Sequence, residues 1–192
     1  MQQRPLVFIS YRHGDPWTGM AQRLHLRLKN VSRALGFDLF MDDRALSAGD
    51  LWDDMLAQQL ARTTHFICLL CDEYWESFEC QRELKFAVDG FRARRVPRLL
   101  FVLAEAMSPE YLFFDDAGRP DRLEAPHERD AALRSVSDVQ FLAAFDRNNR
   151  LEPLDWASPA RLAEQFTQLV ARLKATLPAP GVPVIQAAGN RS

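Results

Sequence analysis

Cysteine is scarce in this chain of 192 residues: there are three thiols, Cys68, Cys71 and Cys80, all within one stretch. An odd, clustered set does not describe a disulfide framework and suits a reduced, cytoplasmic setting. Cys68-x-x-Cys71 has the spacing of a redox motif or half a zinc site. It closes an apolar strand, however, and no second pair or His spacing completes a ligand set, so the thiols read as small buried apolar groups. Long apolar runs are also missing. No segment approaches the ~20 residues of a membrane helix, and no basic-then-apolar leader opens the sequence. Charge of one sign is not in excess either, with 24 Lys and Arg against 26 Asp and Glu and a formal net charge of −2. Such a balance gives no field to gather nucleic acid or anionic lipid, so neither is expected as a direct partner. The basic run Arg92, Arg94, Arg95 and Arg98 reads as a solvated helix end favoured by the dipole.

What the chain does have is apolar content, 47% hydrophobic against 26% charged, enough for one globular core with some excess. Residues 6–10 form a continuous apolar run of strand length, and Asp15-Pro16 offers a helix cap and first helical position. Trp17, Ala21, Leu24, Leu28 and Val31 then recur at helical spacing until Gly36. Residues 37–41 read as a second strand, and Trp52, Met55, Leu56, Gln59 and Leu60 mark a second helix. Residues 64–70 are apolar on both faces, which predicts the central strand of a sheet. A third helix is expected over 78–92, with Leu84, Val88 and Phe91 inward, and a fourth strand over 98–103.

Alternating strands and helices of this kind predict a parallel α/β sandwich, flavodoxin-like, with five strands in the order 2-1-3-4-5. Residues 105–150 break the rhythm as an extended polar connection or insertion. A short edge strand is expected near 151–154. The last helix starts at Ser158-Pro159, with Leu162, Phe166, Leu169, Val170 and Leu173 on one stripe. The expected organisation is therefore one domain over 1–176 and a disordered tail over 177–192, rich in Pro, Ala, Gly and Val.

In that strand order a crevice opens where strands 1 and 3 diverge at their carboxyl ends. The residues bordering it include Ser10, Tyr11, Arg12, His13, Asp42, Arg44, Trp52, Trp75, Glu79 and Glu83: cations for phosphate, aromatic rings for stacking, and carboxylates. The acidic pairs Asp42-Asp43 and Asp53-Asp54 suggest a metal at first glance. Asp50, Asp53 and Asp54 near a helix N-terminus are explained by the dipole alone, so no metal is expected.

Four segments in order, Phe8-Ile9-Ser10-Tyr11, Gly36-Phe37-x-x-Phe40-x-Asp42, Gly49-Asp50, and Cys80-x-x-Glu83-Leu84, resemble the successive boxes of a Toll/interleukin-1 receptor (TIR) domain. The resemblance covers residues 4–103 and extends to the last helix near residue 174. The family contains adaptor modules and enzymes that cleave the nicotinamide–ribose bond of NAD+, and compact microbial members often belong to the second group, many in antiviral defence. In those enzymes a Glu on the helix after the third strand is catalytic, which the resemblance assigns here to Glu83. A competing literal match, Trp75-x-x-x-Glu79, is set aside because Cys80 and Leu84 fix the register. Glu79 then stands where Trp is common, and Ala48 where Pro is frequent.

Ser10, Tyr11, Arg12, Asp42, Gly49, Trp52, Trp75 and Glu79 are the expected substrate-binding set, and the resemblance implies NAD+ as substrate with no separate cofactor. Tyr11 and Arg12 would border its nicotinamide and phosphate parts. Each has a plain alternative: Tyr11 packing on the first helix, Arg12 pairing with Asp42 or Asp43, Trp52 in the core. Glu79 and Glu83, spaced i, i+4, share a helix face. They either titrate as a coupled pair or leave Glu79 to Arg82 or solvent. The loop over 43–51 is the family's assembly surface, implying self-association, with a separate sensor or effector protein as the expected trigger. Products range over linear, cyclic and base-exchanged ADP-ribose. A non-enzymatic assembly module is the second reading. A phosphoacceptor receiver, which has the same strand order, would need an acidic pair after strand 1, and Ser10-Tyr11-Arg12 stands there instead.

Overall fold

A computed structural model describes residues 3–42, 50–94, 96–106, 140–141 and 153–177, and the side chains of 50–53, 75, 88, 92, 94, 140 and 141 lie outside that description. The elements run β1 (Leu6–Tyr11), α1 (Trp17–Leu35), β2 (Asp38–Met41), α2 (Asp50–Arg62), β3 (Thr63–Leu70), a short 3₁₀ helix (Asp72–Glu76), α3 (Phe78–Arg94), β4 (Arg98–Leu103), β5 (Gln140–Phe141) and α4 (Pro159–Thr176). All strands are parallel, in the order β2-β1-β3-β4-β5.

The register explains the core. Phe8 of β1 lies opposite Phe40 of β2 and Phe66 of β3, and Phe66 lies opposite Leu99 of β4. Because side chains alternate along a strand, these four project from one face as a row, and Ser10, two residues on, shares that face. Phe8 stacks on Phe66 with centroids 5.4 Å apart and 8° between planes, and meets Phe40 at 5.3 Å. Helices α2 and α3 pack together on this side. The opposite face carries α1 and α4: Arg27 lies over the Phe166 ring at 5.9 Å, and Arg23 over Trp156, just before α4, at 4.8 Å. Every residue of β3 is buried, as its two apolar faces predict.

Two expectations about chain ends are corrected. Of the strand expected over 151–154, the described residues 153 and 154 are not in a strand: Leu154 donates its N–H to the Leu103 carbonyl at 3.0 Å, and the pairing beside β4 comes from Gln140–Phe141. A two-residue strand is too short to leave a period in the sequence. At the start of α1 the cap is Pro16, not Asp15, with no side-chain cap bond; Gly14 and Thr18 join instead, N–H to hydroxyl at 3.0 Å and N–H to carbonyl at 2.9 Å. Gly36 does end α1, at φ 76, its N–H on the Ser32 carbonyl at 2.9 Å. Ser158 caps α4 by accepting the Arg161 N–H, with Pro159 next. The expected insertion and tail lie almost wholly outside the described residues.

One buried ionisable group ties the sheet to the last helix. His65 is 1% exposed; its Nδ1 lies 3.0 Å from the Thr64 hydroxyl and its Nε2 3.1 Å from the Thr176 hydroxyl. Burial first, then Arg98, lowers the pKa from 6.5 to about 4, against a raising contribution from Thr176. The folded state therefore resists a proton the unfolded chain accepts, and stability drains away as pH falls from 6.5 to about 4, by about 3 kcal/mol at the limit. His65→Gln lacks this proton uptake. Urea midpoints taken at pH 7, 5.5 and 4.5 should show the wild type's advantage over the variant shrinking with acid; parallel curves would refute the assignment.

Candidate active site at the carboxyl edge of the sheet

At the carboxyl ends of β1 and β3 the chain turns away in opposite directions, opening a cleft of about 240 Å³. Among the described residues it is lined by Tyr11, Arg12, His13, Ser77, Glu79, Cys80 and Glu83. The two sides come from elements far apart in sequence. β1 ends in Tyr11 and delivers Arg12 and His13, while the 3₁₀ helix turns the chain after β3 so that α3 begins with Ser77-Phe78-Glu79 against the same edge.

Glu83 is 3% exposed, a carboxyl that only hydrogen bonding makes tolerable at that depth. Its Oε2 accepts the hydroxyl of Ser10 at 2.6 Å, the short distance of a charge-assisted bond. Ser10 is itself wholly buried and in turn lies 2.7 Å from the Tyr74 hydroxyl. Cys80, one turn before Glu83, donates its thiol to the Tyr11 carbonyl at 3.3 Å, pinning α3 to the end of β1. Burial, with Glu83 and Glu79 adding to it, pushes that thiol up to about 12 against the lowering effects of Ser77 and Arg12. Cys80 is thus a thiol at every working pH and no nucleophile. Cys71 is likewise pushed up to about 12, chiefly by burial, and all three cysteines are free and buried.

Glu79 sits differently. It is exposed at the first turn of α3 and accepts the Ser77 hydroxyl at 3.2 Å. The i, i+4 spacing does bring both carboxylates to one cleft, with Glu83 deep and Glu79 at the rim. Arg12 is half-buried, and its Nε, fully enclosed, has no hydrogen-bond partner among the described residues. An enclosed N–H without an acceptor is costly, and an anionic ligand in the cleft would satisfy it.

Of the expected binding set, Tyr11 lines the cleft while 3% exposed, its ring stacked on His13 at 4.8 Å and 19°. Ser10 lies behind Glu83 and is not among the lining residues. Asp42 is buried just past β2, also off the lining. Trp52 is on α2 and Trp75 on the 3₁₀ helix, with side chains outside the described residues, as is Gly49 entirely. The loop over 43–51 falls outside as well but for the first residues of α2. Tyr74 is the residue that sequence reasoning passed over, and its wholly buried ring carries the hydroxyl nearest Ser10.

No group of three His, Cys, Asp or Glu side chains among the described residues converges as a metal site. No helix among them is long and apolar enough to cross a membrane.

Comparison with known proteins agrees with this geometry. A search of curated proteins gives no match. Among solved structures, the chain is similar to the TIR domains in the "Structure of the activated Roq1 resistosome directly recognizing the pathogen effector XopQ", with a TM-score of 0.61 at 16% identity, covering 88% of this chain and 99% of that one. At that identity the likeness speaks for the fold, and it is the flavodoxin-like TIR arrangement. The sequence itself matches the TIR domain family over residues 7–136, well over half its length. With β1 from its second residue, the turn after β3 and the Glu83 helix inside that match, the chain belongs to the TIR domain family.

Proposed function

We propose that this protein is an NAD+ nucleosidase that cleaves the nicotinamide–ribose bond, with Glu83 as the catalytic carboxylate. The observation carrying the reading is Glu83 itself: a buried carboxylate, anchored by Ser10, lining a cleft that also holds the half-buried Arg12 with its enclosed Nε. A purely structural role would not need a carboxylate at a crevice.

The chemistry suits a single carboxylate. The C1′–N bond breaks with its electron pair passing to the nicotinamide nitrogen, which leaves neutral, so no general acid is needed, unlike ordinary glycoside cleavage. Positive charge develops on the ribose, and a fixed anion beside it is worth more to that transition state than to the ground state. Water then adds to C1′ and yields its proton to solvent, or the substrate's own adenine or another base adds instead. A cleft of about 240 Å³ is below the range of about 300–1,000 Å³ for drug-sized ligands, which suits the nicotinamide ribose end of the dinucleotide, with Arg12 toward the phosphates. Tyr11 and His13 form a ring wall at that end.

The similar structure is of an activated resistosome directly recognizing a pathogen effector, which supports a self-associated active form here; a separate sensor protein in defence signalling is the proposed trigger. Incubating the purified protein with NAD+ over a concentration series, and separating nicotinamide from all adenine-containing products, tests the reading. Nicotinamide release rising steeply with protein concentration is expected, and Glu79→Ala should retain it within about five-fold, since an exposed charge is screened by solvent. No turnover at any concentration would leave the assembly-module reading; loss of turnover in Glu79→Ala would mean the wrong carboxylate has been assigned.

A further inference from the structure

Tyr74 has no place in the proposed chemistry, yet its hydroxyl is among the most enclosed polar groups described. The residue is 0% exposed, and a phenol at that depth needs a partner for its proton. Its oxygen lies 2.7 Å from Ser10 Oγ and 3.4 Å from the Cys80 carbonyl. The direction of the shorter bond follows from proton counting. Ser10 has one hydrogen and gives it to Glu83 Oε2 at 2.6 Å, so toward Tyr74 it can only accept, and the single Tyr74 proton is far better placed on Ser10 Oγ at 2.7 Å than on the Cys80 carbonyl at 3.4 Å.

We propose that Tyr74 is a positioning residue that fixes the Glu83 carboxylate through Ser10, in the sequence Tyr74 hydroxyl to Ser10 hydroxyl to Glu83 Oε2. The inference rests on the nucleosidase reading for its catalytic consequence and on geometry alone for the relay. Three elements that meet only in the folded chain supply one link each: the 3₁₀ helix, β1 and α3. A donor arriving at Ser10 polarises its O–H and strengthens the bond it gives to the carboxylate. It also holds the serine in the rotamer that reaches Glu83, because the alternative leaves a buried hydroxyl oxygen short of a donor. Burial keeps the phenol protonated by raising its pKa well above the ordinary 10, so the donor is present throughout the working range.

Tyr74→Phe keeps the ring and deletes only the proton. In the full-length protein, kcat for NAD+ cleavage should fall about 10- to 100-fold, as for other groups acting through an active-site residue, while KM changes less than about three-fold. The acid limb of the kcat profile should move to higher pH, since a hydrogen bond to the charged carboxylate is weakened. Ser10→Ala should do the same, and the double variant should be no worse than Ser10→Ala, because Tyr74 acts only through Ser10. Unchanged kinetics in Tyr74→Phe, or losses that multiply in the double variant, would overturn the relay. A second readout needs no turnover: with ¹³C-labelled glutamate, the Glu83 carboxyl signal, identified by its absence in Glu83→Gln, should titrate at higher pH in Tyr74→Phe than in the parent. If the parent proves inert toward NAD+, the nucleosidase reading falls, and this titration still decides the relay: a shift upholds it, and coincident curves reject it.

Discussion

Glu83→Gln is expected to reduce nicotinamide release by about 100- to 1,000-fold, the cost of removing one preorganised electrostatic group from a developing charge, or about 3–4 kcal/mol of barrier. The substitution keeps the side chain's size and leaves an amide oxygen to accept the Ser10 hydroxyl now bonded at 2.6 Å, so the loss reports charge and not shape. It should appear in kcat, with KM little changed, because the interaction is made with the ribose only as it becomes cationic. Stability should move the other way. A carboxylate only 3% exposed has given up most of its hydration, and a neutral amide in its place spares that cost, so the variant should melt at the parent's temperature or above it. Opposite signs on activity and stability are the mark of a residue kept for chemistry. Parent-like turnover would remove Glu83 from the mechanism; a variant both inactive and unfolded would make it a structural residue.

The parts of this site that were legible in the sequence are those written in local periodicity. β1, β3 and β4 are apolar runs of strand length, and the positions Trp17, Ala21, Leu24 and Leu28 predicted the buried stripe of α1. Cys80 and Leu84 set the register of α3 correctly for burial: both are buried, as is Glu83 between them, while the literal Trp-x-x-x-Glu match leads to the exposed Glu79. What stayed hidden depends on contacts between distant segments. Ser10 stands in the sequence at a strand end beside the crevice, with nothing local to mark its partners. Strand alternation turns it to the α3 face, where Glu83 and Tyr74 meet it across separations of 73 and 64 residues. Nothing in Asp72-Glu73-Tyr74-Trp75-Glu76 announces that its first ring points inward. The signal available was weak: a turn directly after a buried strand must cover that strand's end, and Tyr is the residue there that is apolar enough to do so with a hydroxyl to spare. Gln165 is similar, a polar residue on the apolar stripe of α4, buried because its amide donates to the Pro153 carbonyl and accepts the Asp155 N–H.

Phe8→Ala should destabilise the protein by about 3–5 kcal/mol, the usual cost of emptying a buried phenylalanine site. That is a large share of the roughly 5–15 kcal/mol that holds a domain together. At roughly 2–4 °C per kcal/mol for a chain of this size, the melting temperature should fall by about 6–20 °C. The site has little freedom to collapse, because Phe8 is wholly buried in the middle strand of three, with Phe66 stacked at 5.4 Å on one side and Phe40 at 5.3 Å on the other. Phe40→Ala is the informative control: that ring is half-buried on the edge strand β2 and meets Phe8 from one side, so its removal should cost about half as much. Equal losses would mean that the row does not act as a stack centred on Phe8. The consequence reaches the cleft because Ser10 follows Phe8 on the same face of β1. Without the ring β1 loses the packing that fixes its position, so Ser10 is held less tightly against a partner at 2.6 Å. Turnover per folded molecule, measured well below the lowered melting point, should therefore drop in Phe8→Ala and hold in Phe40→Ala. Undiminished turnover in Phe8→Ala would show that the Cys80 thiol on the Tyr11 carbonyl suffices to keep the strand end in place.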